Sequence, residues 1–126
     1  MAELLQTYGS TFLEGFKITI YSSVLALLFS LIIGTLMAIF QLSTNKVISG
    51  LAKAYVEFFR NIPLLIIVMF FYVVLPIYWI SFDGFQAGTI GLTIYTSAFI
   101  AETVRSGIQT VPKGQTEAGL SAGLTY

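Results

Sequence analysis

The chain has no cysteine and no histidine among its 126 residues. The first absence excludes disulfides and thiolate metal sites. The second excludes imidazole zinc centres and hydrolytic triads built on histidine. Charge is the next scarcity: Lys and Arg number 6, Asp and Glu 6, so 10% of residues are ionic and the net charge is zero. Soluble domains carry about 25% charged residues. A water-facing surface this poor in ions would aggregate, whereas a lipid-facing one needs none. Zero net charge also argues against a nucleic-acid partner. The N-terminus lacks a positive region, since Glu3 and Glu14 precede the first cation, Lys17, and no cleavable secretory signal is expected. What is present is 56% hydrophobic residues, the composition of an integral membrane protein. Its expected chemistry is passage rather than bond-making, with no catalytic residue, no metal ligand set and no enzyme activity of its own.

Three membrane-spanning helices are predicted, an all-α transmembrane fold. Ile18 to Phe40 holds no charged residue, and at 1.5 Å per residue it is roughly 35 Å long, enough for a hydrocarbon core of about 30 Å. The second span covers about 63–80, with Pro63 suited to its start and Pro76 expected to kink or end it. Tyr78, Trp79, Phe82 and Phe85 then surround Asp83 and Gly84, an aromatic belt followed by a short aqueous turn. The third span, about 87–108, is richer in hydroxyls (Thr89, Thr93, Tyr95, Thr96, Ser97), which places it inside a bundle. Between the first two spans, Val47 to Phe59 is predicted helical. Val47, Leu51, Ala54 and Phe58 form its apolar face, with Lys53 and Glu57 as an i,i+4 pair. That loop carries Lys46, Lys53 and Arg60, the tail carries Lys113, and the Asp83 turn carries no cation. The positive-inside rule therefore puts the first loop and the tail in the cytoplasm, and the N-terminus and the Asp83 turn outside.

Three features are candidates for function. Ser22, Ala26, Ser30, Gly34 and Ala38 repeat at four-residue steps, a small-residue ridge that admits another helix closely, either from a second subunit or from the same chain. Glu102 and Arg105 stand one turn apart near the inner end of the third span, below Thr96 and Ser97. Charges at that depth either line a translocation path or gate, or form an interfacial ion pair whose arginine snorkels to the headgroups. In the tail, about 112–125, Pro112 can open a helix and Glu117 suits its positive end. Leu120 and Leu124 would stack at i,i+4, opposite a nearly bare surface of Ala118, Gly119, Ala122 and Gly123. So short and glycine-rich a helix is marginal alone. It fits a docking element, and equally a solvated turn.

At this tail the sequence resembles the permease subunit of binding-protein-dependent ABC importers, in the polar amino acid branch. That family's cytoplasmic signature is Glu-Ala-Ala, three residues, then Gly. Glu117, Ala118 and Gly123 match its spacing, and Gly119 replaces the second alanine. The stretches YTSAFIAETVRSGIQTVPKGQTEAG and YVEFFRNIPLL (55–65) are similar as well, so the resemblance covers nearly the whole chain. It implies the N-terminal part of a larger five-helix permease domain in the inner membrane, the chain ending before the Ile-x-Leu-Pro element. It further implies that residues 117–123 form a coupling helix seated on a cytoplasmic ABC ATPase subunit, which binds ATP and Mg. A second permease chain and an external solute-binding protein would complete the assembly. The rival expectations are a fragment of an ion channel or secondary carrier, and a non-transporting assembly subunit that uses the first span and the tail only for contact.

Overall fold

A computed structural model describes residues 1–125. Helix α1 runs from Ala2 to Gln41, α2 from Lys46 to Arg60, α3 from Leu64 to Met69, α4 from Leu75 to Tyr78, α5 from Gly84 to Gln109 and α6 from Lys113 to Ser121. Among these, α1 is the helix that is by itself long and apolar enough to cross a membrane. It begins at Ala2 rather than at Ile18, because no proline interrupts residues 2–17 and helix formers such as Glu3, Leu4, Leu5 and Gln6 lead in. The α2 segment and the α3–α4 segment form a bent pair, 102° apart.

Each break has a local cause. Leu42 donates its N–H to Ala38 and Ile39 and closes α1. Asn45 then caps α2, its Oδ1 accepting from the N–H of Val47 at 3.0 Å and of Ile48 at 3.4 Å. Pro63 stands at the N-cap of α3. Residues Phe70–Val74 widen into a π-turn just before Pro76. Pro76 has no N–H to give, and its ring crowds the carbonyl four residues back; a wider turn there relieves both problems. The helix still ends at Tyr78. Asp83 opens α5 through a capping box: its carboxylate accepts from the Gln86 N–H at 2.7 Å, and Gln86 Oε1 accepts from the Asp83 N–H at 3.2 Å.

The main packing contact is between α1 and α5. Ser22 meets Thr89 at 2.9 Å, and Gly34 lies against Ile100 and the Ser97 carbonyl, so the two helices run parallel. Ala26, Ser30, Gly34 and Ala38 of α1 are buried, as are Ala87, Ala98 and Ala101 of α5. The ridge thus packs within the chain. Small residues let the backbones approach so closely that a β-carbon at Gly34 would stand 2.7 Å from Ile100 Cγ2. At Gly91 the intruding group is Val68 of α3.

On α2 the apolar face and the packed face are different sides of the helix. Val47, Leu51, Ala54 and Phe58 are exposed, and Ser49, Ala52 and Val56 are buried. In a lipid-facing protein the bulky apolar side chains need no protein cover, while small residues gain from close packing. Ser49 also donates to the Gln41 carbonyl at 2.7 Å, tying α2 to the end of α1. The expected Lys53–Glu57 pair is replaced by Glu57–Arg60 at 3.1 Å.

Candidate functional site

Ser97 is fully buried where α1, α2 and α5 meet. Its hydroxyl donates to the Ile94 carbonyl at 2.7 Å and lies 2.8 Å from the Tyr55 hydroxyl. A serine has one proton to give, so Tyr55 is the donor to Ser97. Buried interhelical bonds of this kind are worth about 0.6–2 kcal/mol in membrane proteins. Tyr55→Phe should therefore lower resistance to unfolding in detergent by about 1 kcal/mol, the size of that one bond. An unchanged unfolding midpoint would mean that the hydroxyl contributes nothing across the helices. Thr96, beside Ser97, is half-exposed.

Glu102 and Arg105 are half-buried on the C-terminal part of α5 and are paired to each other. Arg105 Nε donates to Glu102 at 3.1 Å, and its Nη1 reaches Gln109 Oε1 at 2.8 Å. The fold brings up a second i,i+3 pair from another helix. Arg60, on the last turn of α2, donates to Glu57, and its guanidinium lies 5.9 Å from the Phe99 ring centre, one turn outward of Glu102. Through Phe99 the Glu57–Arg60 pair at the end of α2 is set against the stretch of α5 that carries the Glu102–Arg105 pair. Arg60 Nε is buried with no hydrogen-bond partner among the described residues. In the sequence Arg60 reads only as a loop cation. Its place beside Glu102 comes from the packing of two helices far apart in the chain, and no local signal carries it.

Helix α6 touches no other helix of the described chain, and Glu117, Ala118 and Leu120 are exposed. It stops at Ser121, short of the expected 125, because Gly123 takes a φ of +89°. The Leu124 N–H reaches back to the Gly119 carbonyl at 3.0 Å and the Gly123 N–H to Leu120 at 3.1 Å, the double bond of a Schellman ending. Leu124 is therefore past the helix and folded back, not stacked one turn beyond Leu120 on a continuing helix. Thr116, Gly119, Leu120, Leu124 and Thr125 line a shallow groove of about 240 Å³. Among the described residues no group of three or more Asp or Glu side chains converges as a metal site would require.

Residues 30–126 match the family described as the binding-protein-dependent transport system inner membrane component. The probable glutamine ABC transporter permease protein GlnM of Bacillus subtilis is 52% identical over 93% of this chain and 54% of its own length. The glutamate transport system permease protein GluC of Corynebacterium efficiens is 33% identical over 100% of this chain and 60% of its own. Among solved structures, a crystal structure of an amino acid ABC transporter with histidines matches with a TM-score of 0.86 and 34% identity, over 97% of this chain and 57% of that one. The chain thus spans about half the length of the relatives it matches. A family match over most of its residues, an all-helical path shared with an ABC transporter and the signature residues on an outlying helix agree: the chain belongs to the inner membrane permease components of binding-protein-dependent ABC transport systems.

Proposed function

We propose that the chain is part of the membrane subunit of an ATP-driven importer of polar amino acids, with α6 as the element that docks to the ATPase. The observation that carries this reading is α6 itself. It presents Glu117, Ala118 and Gly119, with Gly123 in the turn that closes it, and packs against no other helix among the described residues. A helix of 9 residues has little stability of its own, and a fixed ending together with an open groove suits an occupant from another chain. The named relatives are glutamine and glutamate permeases, which supports the substrate class. ATP and Mg would bind to the partner ATPase and not here.

In this reading α1, the α3–α4 segment and α5 each cross the membrane. The parallel course of α1 and α5 supports a returning crossing between them. The N-terminus and the Asp83 turn face outside, toward a solute-binding protein, and Lys46, Lys53 and Lys113 face the cytoplasm. Glu102, Arg105 and Thr96 stand at the translocation path or gate, with Ser97 holding that turn of α5 against Tyr55. A second permease chain completes the path.

The test is co-purification. The complete permease in detergent should retain an ABC-type ATPase, and Glu117→Lys should reduce its yield by about tenfold, the loss of one charge-assisted contact worth 1.4 kcal/mol or more. Membrane insertion should persist. Equal retention by the variant, or no nucleotide-binding partner for the wild type, would count for an ion-gradient carrier or a channel instead.

A further inference from the structure

The first 16 residues of α1 are not needed for spanning, and their pattern differs from that of the span. Ile18 to Phe40 already covers the hydrocarbon core of about 30 Å. As a continuation of α1, residues 2–17 would stand roughly 24 Å beyond it. At 100° per residue, Leu4, Tyr8, Phe12, Leu5 and Phe16 fall within an arc of about 120°, and Gln6, Ser10, Glu3, Glu14 and Thr7 share the opposite side with the one bulky apolar residue Leu13. Every one of these apolar side chains is exposed, Phe12 at 68%, and no residue before Ala26 is buried. Aromatic and leucine side chains held out in water cost roughly 25 cal/mol for each Å² left wet.

The junction can bend. Gly15 is a weak point in a helix, and a β-carbon there would meet nothing within 4 Å, so no packing holds the chain straight. Its carbonyl also accepts from the Thr19 hydroxyl at 2.9 Å, the back-bonding that loosens and bends helices. The apolar arc lies on the same side of α1 as the Ser22–Ala38 ridge, given their common phase of 100° per residue. Folding about Gly15 toward that side turns the arc down beside the outer end of α5. There Tyr78, Trp79 and Phe85 are exposed, the side chains that settle at a headgroup boundary.

We propose that residues 1–14 form an interfacial helix lying on the bilayer surface, with Leu4, Leu5, Tyr8 and Phe12 sunk into the boundary between headgroups and acyl chains and Gly15 as the hinge. The occupant of this face is lipid. The proposal rests on the reading of α1 as a membrane span. The device anchors the outer end of α1 at a fixed depth and stops the helix from sliding along its axis.

The absence of cysteine makes the test direct. Leu5→Cys, Tyr8→Cys and Phe12→Cys, and separately Glu3→Cys, Ser10→Cys and Glu14→Cys, carry a small fluorophore in the full chain reconstituted into phosphatidylcholine vesicles. Phosphatidylcholine with a spin label high on its acyl chain should quench the first set at least about twofold more than the second, and aqueous iodide should show the reverse order. Equal iodide quenching of both sets would overturn the proposal, because the helix would then stand in water. Shielding of the first set from both quenchers would overturn it too, because protein would then cover the face. A fluorophore at Leu28→Cys, quenched by lipid labelled deep in the acyl chain, reports separately whether α1 spans; its failure to quench would overturn the span itself.

Discussion

Gly34→Ala is expected to destabilise the protein, and Gly88→Ala to stabilise it, although both make the same change inside a helix. Replacing glycine by alanine in a helix interior gains about 1 kcal/mol of propensity. At Gly88 nothing lies within 4 Å of the added carbon, so that gain stands. At Gly34 the carbon would meet Ile100 Cβ at 2.8 Å and the Ser97 carbonyl at 2.9 Å. One of these is backbone, so rotamer changes cannot clear it. Overpacking costs about 1–3 kcal/mol, which exceeds the propensity gain. The α1–α5 contact must open, and the Ser22–Thr89 and Tyr55–Ser97 bonds lengthen with it. Unfolding titrations of the two variants in the same detergent should move in opposite directions. Movement in the same direction would mean that α1 and α5 do not approach as closely as described.

The second large effect is expected at Gly123. A β-branched residue is strained at a φ of +89°, at a cost of about 1–3 kcal/mol. In a long, buried helix that would be tolerable. In α6, which has no tertiary contact to draw on, it exceeds what holds the ending together. Gly123→Val should expose the amides of Gly123 and Leu124 to exchange, release Leu124 from Gly119, and lower ATPase retention and transport by the complete permease together. If amide protection is lost while the ATPase still binds fully, the Schellman ending plays no part in docking. The family signature thereby acquires a physical reason for its glycine. The position after the helix needs a left-handed residue, and glycine takes that conformation without strain.

How much of this was legible beforehand depends on the range of the interaction. The α2 helix, bounded at Val47 and Phe59 from the sequence, runs from Lys46 to Arg60, because an asparagine cap and a proline punctuate it locally. The small-residue ridge was visible, but its partner was not. Whether Gly34 faces α5 or another subunit is decided by helix packing across more than 60 residues of chain, as the Gly34–Ile100 contact shows. The apolar face of α2 (Val47, Leu51, Ala54, Phe58) was legible in the spacing, but its packed side (Ser49, Ala52, Val56) was not, because small residues that gain from close packing carry no hydropathy signal. The π-turn before Pro76 left no sequence mark beyond the proline. Asp83 reads as a turn residue, and its capping of α5 appears once Gln86 is seen to answer it. Both ion pairs have the same three-residue spacing, but only the fold shows that the end of α2 reaches α5 at Phe99, one turn from Glu102.

The link between α5 and α6 is Thr110 to Pro112, and it has little slack. Thr110 gives its N–H to Ser106 and its hydroxyl to Gly107, Val111 bonds to Ile108, and Gln115 bonds back to Pro112. Among the described residues no other helix touches α6, so a displacement imposed on it reaches α5 through this stiff joint. Helix α6 is in effect the handle of a crank whose shaft is α5, and Arg105 and Glu102 ride on that shaft about one and two turns from the joint.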